Sequence, residues 1–152
     1  MPKNYIRKYL SDDNLDTIVK KIYEAESKTS GEIRLSIRTK RGYREKDLTP
    51  RELAVAEFFN LGMNETRDKT GVLFYILFDE HRYEIIADAG INSRISDEEW
   101  KTLTSHITEY FKKEKYLEGI LFVIEKIGSK LTEEFPVKSG DINELPNEVS
   151  IS

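Results

Sequence analysis

The sequence predicts an α/β fold: a three-layer α/β/α sandwich with a small mixed β-sheet. Three observations carry that reading. Short apolar segments with strand patterning alternate with longer segments of helical period. The first two strand segments are separated by a helix, so they run parallel, with a right-handed crossover, if they share a sheet. The third follows the second after only Asp79-Glu80-His81, too short for a crossover, so it returns antiparallel. One domain is assigned to residues 1 to 136, followed by a polar, unpatterned tail from 137 to 152 that is expected to be disordered.

Each element has its own signal. Leu15, Ile18, Val19, Ile22 and Ala25 recur at helical spacing behind Ser11, Asp12 and Asp13, which predicts a helix over about residues 12 to 28. Ile33, Leu35 and Ile37 alternate with Arg34, Ser36 and Arg38, the pattern of a strand buried on one face. After a polar, basic loop, Thr49-Pro50-Arg51-Glu52 supplies an N-cap, a proline at the first helical position and a capping glutamate. That helix is expected to reach about Leu61, with Gly62 as its stop. Val72 to Phe78 is apolar throughout, as a strand covered on both faces would be, and Arg82 to Asp88 forms its hairpin partner. Ser96-Asp97-Glu98-Glu99 opens a third helix, with Trp100, Leu103, Ile107 and Phe111 as its stripe. A fourth runs from Leu117 to about Phe135, with Ile120, Leu121, Ile124, Ile127 and Leu131 on one face.

Composition narrows the function classes. Charged residues make up 34% of the chain, but the formal net charge is only −4 and the signs are mixed, so no nucleic-acid partner is expected. The absence of cysteine excludes disulfides, thiolate zinc sites and cysteine nucleophiles. With only His81 and His106, histidine-based metal sites and triads are disfavoured. No window approaches the ~18 uninterrupted apolar residues of a membrane span, and the N-terminus lacks a signal-peptide core. A cytoplasmic protein without an integral membrane segment is expected.

The predicted topology gathers three distant segments at one edge of the sheet: Ser30-Gly31-Glu32, the loop from Asn64 to Thr70, and the stretch from Asp88 to Ser96. They offer Glu32, Asp68, Asp88 and Asp97, with Asn92 and many backbone carbonyls nearby. Hard oxygens on flexible loops suit calcium, and magnesium less well because it demands octahedral geometry. Taken singly, each acid has a structural role open to it, as strand end, turn organiser or helix cap. The opposite edge carries Arg38, Lys40, Arg41, Arg44 and Lys46 in the loop after the first strand. There an anion could meet the carboxyl ends of the parallel strands and a helix N-terminus. A long solvated loop without a glycine-rich phosphate cradle is the competing reading.

Thr29-Ser30-Gly31-Glu32-Ile33-Arg34, Phe58 to Met63 (FFNLGM), Thr70 to Leu73 (TGVL), Asp88 to Ile91 (DAGI) and Tyr116 to Ile120 (YLEGI), in this order and spacing, resemble the TPM domain family. The likeness runs from about residue 10 to residue 135. It implies an α/β/α sandwich and two activities: acid phosphatase activity, as in plant members, and calcium binding, as in short bacterial members. Many relatives carry an Asp-Asn-Gly-Val turn where this chain has Lys69-Thr70-Gly71-Val72, its nearest acid being Asp68. Gly90 matches a glycine-rich turn of the family, while Asn92 stands where relatives have glutamate, and Asp97 agrees with a common aspartate at the helix start. These departures are compatible with a metal site and weaken the transfer of phosphatase activity. The first expectation is a non-catalytic, calcium-binding module acting through an unidentified protein partner, with a membrane surface as one setting. A weak metal-assisted phosphomonoesterase is the first alternative, and an anion- or membrane-docking module using residues 38 to 46 is the second.

Overall fold

The computed structural model describes residues 6–137 and 149–152. The elements run α1 (Asp12–Glu26), β1 (Glu32–Arg38), α2 (Pro50–Asn60), β2 (Gly71–Leu77), β3 (Arg82–Ala87), α3 (Ala89–Asn92), α4 (Asp97–Lys112), α5 (Tyr116–Glu134) and β4 (Ser150–Ile151). Single 3₁₀ turns lie at Tyr43–Glu45, Met63–Glu65 and Phe78–Glu80. The capping boxes at Thr49 and Ser96 form as read, and α1 starts at a third, Ser11 paired with Asn14.

The mixed sheet has the order β3-β2-β1-β4. β1 and β2 are parallel, with Glu32 opposite Gly71 and Arg38 opposite Leu77, and β3 is antiparallel to β2. The fourth strand differs from expectation. Ser150 and Ile151, part of the tail expected to be unpatterned, pair in parallel with Ser36 and Ile37, and Ser152 N–H donates to the Ile37 carbonyl at 3.0 Å. Two residues are too few to show a period-2 pattern, so the pairing comes from the open edge of β1 and not from local propensity. The rest of the expected tail, residues 138–148, lies outside the described residues.

Strand alternation divides the core. Ile33, Leu35 and Ile37 of β1, Val72, Phe74 and Ile76 of β2 and Ile85 of β3 meet α1, α4 and α5 on one face. On the other, Leu53, Ala54 and Phe58 of α2 pack with Met63, Leu73, Tyr75, Leu77 and Ile86. No β1 residue belongs to this second cluster, because α2 lies over β3 and β2. The outer row of β1 on this face is therefore Glu32, Arg34, Ser36 and Arg38, which α2 meets through Glu57 at the Ser36 hydroxyl. The start of β1 is tied to the end of α5: Thr29 Oγ1 donates to Leu131 O at 3.1 Å, and Ser30 N–H to Phe135 O at 2.9 Å.

Candidate functional site

Backbone pairing brings the three predicted segments together where β1 and β2 begin and β3 ends. Glu32 N–H donates to Thr70 O and Asp88 N–H to Gly71 O, each at 3.0 Å. Because Val72 pairs with Ala87, Asp88 falls beside Gly71, and Glu32, Gly71 and Asp88 form a row across the sheet. Alternation places this row on the α2 side, the side of Leu73 and Ile86. Two glycines make the approach possible. A Cβ on Gly71 would lie 2.7 Å from Met63 O, and one on Gly90 would strike Asp68 O and lie 2.5 Å from Lys69 O.

The acidic side chains behave differently from the segments that carry them. Asp88 is half-buried; its Oδ1 accepts from Ala89 N–H at 2.8 Å and caps α3, while its Oδ2 is buried with no hydrogen-bond partner. Glu32 is only 4% exposed. Asn92 donates from Nδ2 to Ala87 O at 2.8 Å, a local clamp on the turn. Asp68 is exposed, with Arg67 Nε 3.7 Å away. Asp97 is also exposed and faces Arg51 Nη2 at 3.9 Å; the same arginine donates to Glu84 and to Ile85 O, so Asp97 lies along β3 and away from the row. Among the described residues no three Asp, Glu or His side chains come together to hold a metal ion. The four-carboxylate convergence expected from the topology is thus corrected. The segments meet through backbone hydrogen bonds, and the loop geometry sends Asp68 and Asp97 to solvent. Lys69, at φ 57°, supplies a cation of its own, its Nζ donating to Asn64 O at 2.8 Å.

What remains is a smaller donor set: the unpaired Asp88 oxygen, Glu32 across Gly71, and the Met63 carbonyl above that glycine. Met63 is the member the sequence did not offer, since a backbone oxygen leaves no signature; the glycine beneath it was the visible trace. Oxygen donors of this kind fit a hard cation whose coordination is completed by water, which means weak binding.

The basic loop is tied down more firmly than a solvated loop would be. Both guanidinium Nη atoms of Arg38 contact Glu45, at 2.9 Å each. Arg41 grips Glu80 through Nε at 2.7 Å and Nη2 at 2.8 Å, and its Nη1 donates to Glu45 O and Leu48 O. Arg38 holds the Glu45 carboxyl below the ordinary glutamate range, and Arg41 does the same for Glu80. Of the five cations expected to face an anion, Arg38 and Arg41 are therefore committed to the fold. Lys40, Arg44 and Lys46 are exposed, with Lys46 Nζ 5.5 Å over the ring of Tyr43.

Three comparisons place this geometry among known proteins. The family profile described as TPM domain matches residues 6–130. The NMR structure of BA42 protein from the psychrophilic bacterium Bizionia argentinensis shares 36% identity, covers 93% of this chain and 94% of its own, and superposes with a TM-score of 0.82. The N-terminal domain of a P. gingivalis protein superposes with a TM-score of 0.69 at 14% identity, covering 84% of this chain and 79% of its own. The N-terminal domain of cg2496 from Corynebacterium glutamicum reaches 0.53 at 13% identity, covering 80% and 74%. These last two show a shared fold only. No curated protein matches the sequence.

Proposed function

The chain belongs to the TPM domain family, and from that premise we propose that it is a non-catalytic module that binds calcium weakly at the loop edge and presents that edge to a protein partner. One observation carries the reading: Asp88 Oδ2 is a buried carboxylate oxygen with no hydrogen-bond donor. A carboxylate oxygen held away from water without a donor calls for a positive partner. Glu32 and the Met63 carbonyl flank the same glycine floor, and calcium accepts such a mixed, irregular oxygen set more readily than magnesium does. When bound, the cation would order the turns on either side of Gly71 and so shape the surface a partner meets.

The test is a calcium titration followed by amide NMR, with magnesium as control. Saturable shifts are expected around residues 31–32, 63–71 and 87–92, with a Kd of about 10⁻⁴–10⁻³ M. Asp88→Asn keeps the Oδ1 cap and removes the charge, so it should abolish saturation. Unchanged calcium affinity in that variant would sink the proposal. Turnover of a generic phosphate ester that disappears with the same substitution would instead favour the phosphatase alternative.

A further inference from the structure

A second site lies on the half-covered face of the sheet, along the middle of β1. Tyr75 stands opposite Ser36 and diagonal to both Arg34 and Arg38, all four on the α2 side. Three buried donor atoms in this patch have no acceptor within hydrogen-bond distance among the described residues: Arg34 Nε, Arg38 Nε and Tyr75 Oη, the Arg38 guanidinium lying beside the Tyr75 phenol. Tyr75 is 1% exposed. Folded proteins pair nearly all such groups, because each one left unmet forfeits the hydrogen bond it would make to water.

Two nearby acceptors are already engaged. The Ser36 hydroxyl donates to Glu57 Oε2 at 2.5 Å, and Glu45 takes the two Nη groups of Arg38. The Arg34 side chain, half-buried, makes no ion pair or hydrogen bond among the described residues. Burial raises the Tyr75 phenol above its ordinary value, so it remains a protonated donor at neutral pH. All three unmet groups donate, which selects a ligand rich in acceptor oxygens. Charge limits that ligand further: Glu45 already pairs with Arg38, which leaves the single positive charge of Arg34 and favours one negative charge over a polyanion. A planar carboxylate also matches the guanidinium fork.

We infer that this shelf binds the carboxylate of a small organic acid, with Arg34 as its ion-pair partner and Tyr75 Oη–H and Arg38 Nε–H as the supporting donors. The site is separate from the calcium edge and does not depend on it.

The experiment is an NMR titration at constant ionic strength that follows backbone amides and arginine Nε–H signals, with acetate, succinate and inorganic phosphate as probes. Acetate and succinate should give saturable shifts at residues 34–38, 57 and 75. Arg34→Gln should weaken binding at least tenfold, and Tyr75→Phe, which removes only the hydroxyl, several-fold. An unchanged urea midpoint in each variant establishes that the fold survives. Linear, unsaturating shifts would mean that water alone meets these donors, and would overturn the inference. So would acetate binding that is unaffected in both variants. Tighter binding of phosphate than of either carboxylate would overturn the ligand class.

Discussion

At residue scale, neighbouring positions in the loop edge separate what the fold needs from what a ligand would need. Gly90 belongs to the fold. A Cβ there meets the backbone oxygens of Asp68 and Lys69, and neither can swing aside as a side-chain tip would. Gly90→Ala should therefore destabilise the protein by about 2–3 kcal/mol, the upper part of the range for overpacking, read as a lower urea midpoint. Asp88 is different, because its Oδ1 does the structural work by accepting from Ala89 N–H while its Oδ2 does none. Asp88→Asn preserves the acceptor, so its cost should stay below about 1 kcal/mol, within the range of a retained cap. A large loss of stability in Asp88→Asn would show that the carboxylate charge itself holds the turn, and calcium data from that variant would then report folding.

At element scale, the loop between β1 and α2 shows where sequence reading stops. Its charges suggest a solvated, anion-seeking segment, yet Arg41 pairs with Glu80, 39 positions away on the β2–β3 hairpin. Local pattern gives no sign of such a partner. Elements defined by their own ends were legible: the boxes at Thr49 and Ser96 fixed the starts of α2 and α4 from four residues each. The four-residue α3 and the two-residue β4 were not, each spanning about one period and so too short to show a repeat. The loop pairing has a pH consequence. Arg38 and Arg41 lower the folded-state pKa values of Glu45 and Glu80. A depressed carboxylate contributes its stability in full above its unfolded value, and the contribution is lost as pH falls through the folded one. Unfolding curves should thus show stability falling from about pH 5 downward. In a Glu45→Gln, Glu80→Gln double variant that slope should be shallower, and a slope identical to the parent's would show that these pairs contribute nothing measurable. The effect will be small, since both carboxylates are partly solvated.

At the scale of the whole molecule, strand order and direction followed from connection lengths, and the structure has the predicted parallel β1–β2 pair and antiparallel β3. The candidate site was legible to the level of segments and no further. Side-chain direction within the row follows from strand parity, whereas the directions of Asp68 and Asp97 depend on a left-handed turn at Lys69 and on the docking of α4 along β3, neither of which periodicity encodes. The proposed cation would act on the whole domain, because a ligand that binds only the folded state stabilises it by mass action. For a Kd of about 1 mM, 10 mM calcium should add about 1.4 kcal/mol. In a domain of this size that corresponds to a rise in Tm of roughly 3–6 °C. Calcium could also raise Tm simply by screening a chain of net charge −4. Two controls divide the causes: magnesium at equal concentration screens equally well, and Asp88→Asn removes the site while changing the net charge by only one unit. A rise confined to calcium and lost in Asp88→Asn assigns it to the edge row; an equal rise with both ions, or in the variant, assigns it to screening.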